Sequence, residues 1–147
     1  MDRRDFLKCS GKACAGIGLG LVLNSYLLQS CAGGLSVLKL NQEAGWVNVP
    51  LNQLEKTGFL MIRVKDFPFE IGVQKKEEGG FLALVLMCPH ANQPLTKAGS
   101  GYICTLHGSR FAKNGSLLKG PSTAPLFELP LKMEADHISI QTGAFKA

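Results

Sequence analysis

The stretch from Cys88 to His107 constrains this chain more than any other part of its sequence. It reads CPH, thirteen further residues and CTLH, and it holds two of the five cysteines and two of the three histidines. Each cysteine is therefore followed closely by a histidine. Thiolate and imidazole are side-chain ligands suited to iron and zinc. The pairing predicts a metal site with Cys88, His90, Cys104 and His107 as ligands.

Length, composition and charge argue against a disordered chain and against a nucleic-acid-binding protein. A chain of 147 residues suggests one domain, and its 18% of charged residues, without low-complexity runs, argues against disorder. The net charge of +5 is spread along the chain, with +2 in residues 1–30 and +3 in the remainder. This balance is too mild and too dispersed to indicate a nucleic-acid partner.

The N-terminal segment, residues 1–30, resembles an export signal. It begins MDRRDFLK, which is similar to the twin-arginine consensus R-R-x-F-L-K, and an apolar run follows over Cys14–Leu28. A membrane span needs about twenty apolar residues, and this run is shorter and interrupted by Asn24 and Ser25. The pattern favours a signal over an ordinary amphipathic helix. The twin-arginine route exports folded proteins, many of which take up a cofactor first.

The end of this segment, Leu28-Gln29-Ser30-Cys31-Ala32, resembles a bacterial lipobox. Cys31 would then be lipidated and would anchor the mature protein to a membrane. Residues 31–44 are predicted to be a tether, and residues 45–147 a folded domain. The alternative anchor is an uncleaved N-terminal helix. Both interpretations place the protein in the bacterial cell envelope, membrane-anchored and facing the periplasm.

The remainder of the chain has the pattern of an all-β domain. Short apolar or alternating runs are separated by Gly, Pro and Asn-Gly turns, which indicates antiparallel sheets. Leu51–Lys56 offers the one helical turn expected after the signal. The predicted strands are Trp46–Val49, Gly58–Val64, Phe69–Val73, Phe81–Met87, Gly101–Ile103, Phe127–Leu131 and His137–Ile140. The buried run Phe81–Met87 would deliver Cys88 to the site.

The ligand pattern and its surroundings resemble Rieske proteins. The carriers of the resemblance are Cys88-Pro89-His90, the block from Cys104 to Phe111 (CTLHGSRF), and the proline loop from Gly120 to Leu126 (GPSTAPL). The resemblance covers about residues 45–140. It implies an all-β fold of antiparallel sandwich or sheets with a small inserted cluster-binding subdomain at about residues 86–126.

The resemblance also implies one [2Fe–2S] cluster per chain. Cys88 and Cys104 would bind one iron, and His90 and His107 the other. Replacing two thiolates by imidazoles removes negative charge and raises the potential to about −150 to +300 mV, against about −400 mV for all-cysteine clusters. Zinc is the alternative metal, but zinc fingers space their ligands as paired cysteines and paired histidines.

Three positions depart from the pattern of respiratory Rieske subunits. Gln93 and Leu106 stand where those subunits carry two further cysteines that bridge the cluster loops, and Phe111 stands where they carry a tyrosine that donates to a ligand sulfur. Ser109 is kept and is expected to donate a hydrogen bond to a bridging sulfide. Fewer donors stabilise the added electron less, so a lower potential than in those subunits is predicted. Pro121 and Pro125 are expected to close the loop over the cluster.

The function indicated is one-electron transfer by a membrane-tethered periplasmic protein with redox partner proteins. His90 and His107 would form the electron exit, with an apolar collar of Pro89, Leu106 and Pro125. No motif for a second cofactor is present, so the chain is not expected to be an enzyme on its own. Two alternatives remain: a Rieske subunit of a quinol-oxidising or molybdenum-containing complex, and a structural or sensory lipoprotein in which the cluster or zinc stabilises the fold.

Overall fold

Short β-strands dominate the computed structural model, which describes residue 35 and residues 37–146. Residues 1–30 and Cys31, with the predicted export signal and lipobox, lie outside the described residues. A seven-residue helix, α1 (Leu51–Thr57), follows the second strand, and a 3₁₀ turn, Thr142–Ala144, follows the last. The strands are β1 Val37–Leu40, β2 Trp46–Pro50, β3 Phe59–Val64, β4 Ile71–Lys75, β5 Phe81–Val85, β6 Met87–Cys88, β7 Gln93–Pro94, β8 Thr96–Ala98, β9 Gly101–Ile103, β10 Arg110–Phe111, β11 Leu117–Lys119, β12 Leu131–Met133 and β13 His137–Gln141.

The central sheet has the strand order β1-β3-β4-β5, in which β1 pairs with β3 in parallel and the other pairs are antiparallel. All five residues of β5 are buried. Successive side chains of a strand point to opposite faces, so an unbroken apolar strand needs a partner on each face. The run Phe81–Val85 meets that condition, because two separate cores lie on the two faces of this sheet.

The first core lies between the central sheet and the sheet β12-β13-β2. Phe81, Ala83 and Val85 enter it from β5, and Leu54 enters it from α1. The facing sheet contributes Val47, Val49, Ile138 and Ile140. The first core contains none of the predicted ligands.

The second core lies on the opposite face and is the one that reaches the predicted site. Leu82, Leu84 and Leu86 enter it, in alternation with the residues of the first core. The sheet β11-β10-β9-β8 and the ribbon β6-β7 belong to this half. Its buried residues include both site cysteines, and the others beyond the central sheet are Leu95, Tyr102, Phe111 and Leu126.

The all-β expectation is confirmed, and so are the strands at Trp46–Val49, Gly101–Ile103 and His137–Ile140 and the helical turn at Leu51–Lys56. One assignment is wrong. In the predicted strand Phe127–Leu131, Glu128 forms a single bridge to Leu84 and only Leu131 belongs to a strand, β12, because prolines at 125 and 130 cannot donate to a ladder. Residues 37–40, within the segment 31–44, form β1, paired with β3.

No helix among the described residues is long and apolar enough to cross a membrane.

Candidate metal centre

Two loops present the predicted ligands, and both close in the same way. The N–H of Asn92 donates to the carbonyl of Cys88 at 2.9 Å, and the N–H of Gly108 donates to the carbonyl of Cys104 at 2.8 Å. Both donors lie four residues after the cysteine and have positive φ, 50° for Asn92 and 79° for Gly108. Asn and Gly are the residues that adopt this left-handed conformation most readily. Each loop therefore turns back tightly behind its cysteine.

The two cysteine thiols form one buried pair. Cys88 and Cys104 are both 0% exposed, and neither forms a disulfide within residues 37–146. Burial raises the pKa of the Cys104 thiol, but backbone N–H groups of His107 and Leu106 and the thiol of Cys88 form hydrogen bonds with it and leave its pKa below the usual value. These groups favour the thiolate, which is the form that binds a metal. The strands that hold this pair, β6 and β9, both pack against the central sheet.

The two histidines form an exposed pair. His90 and His107 are both exposed, and their ring centroids lie 4.9 Å apart with the rings nearly perpendicular, at 88°. The structure thus pairs the two predicted thiol ligands in the interior and the two predicted imidazole ligands at the surface. Among the described residues, no three Cys, His, Asp or Glu side chains gather around a single point.

A buried serine ties the second ligand loop to the proline loop. The hydroxyl of Ser109, 0% exposed, accepts a hydrogen bond from the backbone N–H of Ser122 at 2.9 Å. The hydroxyl of Ser122 in turn donates to the carbonyl of Ala124 at 3.0 Å. Because Ser109 is an acceptor in this bond, its own hydrogen remains available for a sulfur atom in the site. Pro121 and Pro125 are exposed on either side of Ser122.

The proline loop is also fastened at its far end. The N–H of Leu126 donates to the carbonyl of Gly115 at 2.9 Å, and Leu126 is buried in the second core. Gly115 has φ 85°, and a Cβ there would lie 2.9 Å from a methyl carbon of Leu84. The asparagine–glycine turn at residues 114–115 therefore packs closely against β5 and holds Leu126, the last residue of the proline loop, in place.

Three residues predicted near the site, Phe111, Leu106 and Gln93, differ in burial and in their contacts. Phe111 is 1% exposed and pairs across the sheet with Tyr102, so both side chains lie in the second core. Leu106 is 60% exposed, as expected for a residue of the outer collar. Gln93 uses its side-chain amide to donate to the carbonyl of Ala91 at 3.1 Å, within the first ligand loop.

Sequence reasoning missed three residues that shape the site. Asn92 lies just after the first motif and Ser122 lies in the proline loop, but their hydrogen bonds depend on how the loops fold. Tyr102 belongs to a short strand with no distinguishing pattern, yet it is buried in the same core as the thiol pair, and its hydroxyl has no hydrogen-bond partner among the described residues. The remaining histidine, His137, lies in β13 and contacts Asp136 at 2.6 Å, apart from the site, as expected.

The donor set fits a two-iron cluster. Cys88 and Cys104 can bind one iron and His90 and His107 the other, which is the ligand set of a [2Fe–2S] centre of mixed type. The buried thiols would hold one iron in the interior, and the exposed rings would hold the other iron near the surface. The hydroxyl of Ser109 supplies a hydrogen-bond donor on the buried side.

A family model described as "Rieske [2Fe-2S] domain" matches residues 46–130, which is more than half of the chain. The chain is 26% identical over 160 residues to a cytochrome b6-f complex iron-sulfur subunit of Prochlorococcus marinus (strain AS9601), covering 98% of this chain and 83% of the relative. The same subunit of strain MIT 9211 is 25% identical over 157 residues, with coverage of 98% and 86%.

Solved structures share the fold. The cyanobacterial plasma membrane Rieske protein PetC3 from Synechocystis PCC 6803 superposes with a TM-score of 0.53 at 23% identity, over 64% of this chain and 97% of that protein. Naphthalene 1,2-dioxygenase superposes with a TM-score of 0.54 at 20% identity, over 66% of this chain but 26% of that larger chain. At these identities the likeness concerns the fold alone.

Proposed function

Because the chain belongs to the Rieske [2Fe–2S] domain family, we propose that it is a one-electron carrier tethered to a bacterial membrane and facing the periplasm. One observation carries the proposal: Cys88 and Cys104 form a buried thiol pair, whereas His90 and His107 form an exposed imidazole pair. When bound, the cluster supplies one-electron redox chemistry. The domain would shield the cysteine end of the cluster from water and leave the histidine end open to solvent.

The protected end is built by the second core. Cys88 and Cys104 sit at 0% exposure among leucine, tyrosine and phenylalanine side chains, which exclude water from the sulfur atoms. The hydrogen bond from Ser122 to Ser109 fixes the serine hydroxyl beside the site. A fixed donor stabilises added negative charge without reorganising, which supports a role in electron transfer.

The open end gives the electron its route. His90 and His107 reach solvent, so a partner protein can approach their rings directly. The collar predicted around them fits this role, since Pro89 is half-buried, Pro125 is exposed and Leu106 is 60% exposed. An apolar collar excludes water when a partner docks, which shortens the path between the two redox centres.

Substitution of single histidines tests the site. The purified protein is expected to show a Rieske-type EPR signal after reduction with dithionite. His107→Ala removes one of two imidazoles and is expected to abolish that signal, whereas His137→Ala, the matched change outside the site, is expected to keep it. A zinc-loaded, EPR-silent protein would contradict the proposal.

The tether rests on residues outside the described part of the chain. The sequence RRDFLK and the lipobox-like Cys31 support export in the folded state followed by lipidation. Cys31→Ser is expected to release the protein from the membrane fraction, while Cys14→Ser, a matched change earlier in the segment, leaves it there. Mass spectrometry of the N-terminus checks the lipid, and an uncleaved N-terminus bearing Arg3 and Arg4 would contradict it.

A subunit role in a quinol-oxidising complex is the second candidate, because the relatives named above are cytochrome b6-f iron-sulfur subunits. The two cysteines of the described residues are both site cysteines, and Phe111 replaces the sulfur-bonding tyrosine. These differences support a potential below that of respiratory Rieske subunits, which suits a quinol oxidase poorly. Redox titration decides: a midpoint near the top of the Rieske range, with quinol oxidation lost on deletion, favours the second candidate.

A further inference from the structure

The charged residues divide unevenly between the two halves of the domain. The cluster-binding segment, residues 86–126, contains four cationic side chains and no aspartate or glutamate; the four are Lys97, Arg110, Lys113 and Lys119. The other described residues contain eight cationic and nine acidic side chains. The positive charge of the domain is therefore concentrated at the end that holds the site.

These four cations are not neutralised within the domain. The ion pairs formed by the described residues join Arg63 to Glu70, Lys76 to Glu128 and His137 to Asp136, so that none involves the cluster-binding segment. Lys97 also has a lowered pKa, through burial and through the positive charge of Lys113. The cations of this segment therefore have no acidic partner within the described part of the chain.

Two of the cations lie directly opposite each other. Arg110 and Lys119 are cross-strand partners in β10 and β11, and both are exposed. Like charges in directly opposed positions destabilise a sheet, so this pair costs the isolated domain some stability. A partner that brings negative charge to the pair would relieve that repulsion.

The pair also stands next to the site. Arg110 follows Ser109 directly, and Lys119 precedes the Gly120–Pro121 bond of the proline loop. Exposed leucines occur in the same segment: Leu106 is 60% exposed and Leu118, adjacent to Lys119, is 67% exposed. An apolar contact beside fixed charges is the usual arrangement of a protein docking surface.

We propose that this surface, formed by Leu106, Arg110, Leu118 and Lys119, docks a redox protein that surrounds its own cofactor with acidic side chains. The inference rests on the proposed electron-transfer function and adds the charge of the partner. The cations steer the partner toward His90 and His107 from a distance, and Leu106 makes the contact that excludes water.

The test measures the rate of electron transfer from the reduced, cluster-loaded protein to two purified c-type cytochromes, one acidic and one basic. Opposite charges accelerate encounter at low ionic strength and are screened by salt. The second-order rate constant with the acidic cytochrome is therefore expected to fall at least tenfold between about 10 mM and 500 mM salt. With the basic cytochrome it is expected to rise or stay level.

Charge reversal localises the effect. Arg110→Glu with Lys119→Glu is expected to lower the rate with the acidic cytochrome at low salt about tenfold or more. The control is Lys56→Glu with Lys75→Glu, which changes the net charge equally at the opposite end of the central sheet, where β5 begins. The control is expected to change the rate less than threefold. Equal losses in the two double variants would overturn the localisation.

Three outcomes separate the explanations. A normal EPR signal together with an electron-transfer rate that does not depend on salt overturns this inference and leaves the proposed function intact. The absence of the signal means that the proposed function itself fails.

Anionic lipid is the other source of negative charge. Binding to phosphatidylglycerol vesicles but not to phosphatidylcholine vesicles, lost in Arg110→Glu with Lys119→Glu while the cytochrome rates stay unchanged, would overturn the protein partner in favour of the membrane surface.

Discussion

At the scale of single residues, Tyr102 and Phe111 define the environment of the thiol pair. They are cross-strand partners, at 2% and 1% exposure, in the same apolar core as Cys88 and Cys104. Tyr102 carries a hydroxyl that has no hydrogen-bond partner in the described part of the chain, and Phe111 lacks a hydroxyl where respiratory Rieske subunits have one. Tyr102→Phe removes one hydroxyl and Phe111→Tyr adds one, so each substitution measures the effect of a single hydroxyl group.

Tyr102→Phe is expected to raise the free energy of unfolding by about 1 kcal/mol, because a buried hydroxyl without a partner is a net cost. Burial also raises the pKa of Tyr102 to about 12. The folded state therefore favours the neutral phenol, and the resulting stability is complete below about pH 10 and is lost as the pH rises to about 12. Denaturant titrations across that range should show a smaller loss in Tyr102→Phe.

The unchanged protein is the reference and is expected to keep the full alkaline loss. An identical pH dependence in Tyr102→Phe and in the unchanged protein would contradict the role of the buried phenol.

Phe111→Tyr is expected to raise the midpoint potential, because a tyrosine here restores a hydrogen bond to a ligand sulfur and stabilises the added electron. A bond of about 1.4 kcal/mol corresponds to about 60 mV for one electron. Redox titration followed by EPR measures the shift. Phe69→Tyr adds the same hydroxyl beside the first core and should leave the midpoint in place; equal shifts in both variants would refute this explanation.

At the scale of elements, the turn between β10 and β11 sets the position of the proline loop. Gly115 combines φ 85° with close packing against Leu84 of β5. Gly99, between β8 and β9, has φ 58°, and a Cβ added there would meet nothing within 4 Å. Both positions favour glycine for its backbone conformation. They differ in whether a side chain has room.

Gly115→Ala is therefore expected to lower the free energy of unfolding by about 2–4 kcal/mol, and Gly99→Ala by about 1 kcal/mol. The difference measures the clash with Leu84, because the backbone cost is shared by the two variants. Chemical denaturation gives both values. Equal losses would mean that the packing against β5 does not matter.

At the scale of the whole molecule, the central sheet is shared by two cores, and only one of them contains ligands of the site. The first core contains none of the four ligands, whereas the second contains both cysteines. Metal binding contributes folding free energy where its ligands are buried. The half made of β8–β11 is therefore expected to depend on the cluster more than the half made of β2, β12 and β13.

Removing iron with a chelator under reducing conditions is expected to speed hydrogen exchange at Tyr102 and Phe111 at least tenfold, because opening of the second core becomes easier. Exchange at Val49 and Ile138, which pair across β2 and β13 in the first core, is expected to change less than threefold. Mass spectrometry of peptides from the loaded and iron-free protein measures both. Uniform acceleration would show that the two cores unfold as one unit.

The ligand set and the class of fold follow from local sequence patterns alone. Alternating cysteine and histidine indicates the metal chemistry from four residues, because side-chain chemistry is a local property. The unbroken apolar run Phe81–Met87 indicates a buried strand, which the structure has over Phe81–Val85. Strand pairing is less accessible to such patterns. They predict a strand at Phe127–Leu131, where Glu128 forms a single bridge to Leu84, since pairing depends on partners that are distant in the sequence.

The division of the ligands into a buried and an exposed pair is a property of the tertiary structure. It follows from packing of the second core against β5, which no local pattern encodes. The same holds for the bond from Ser122 to Ser109, for the unpartnered hydroxyl of Tyr102, and for the opposition of Arg110 and Lys119. Each depends on residues from different strands or loops, and the free energy of such a contact depends on the register that the whole fold imposes.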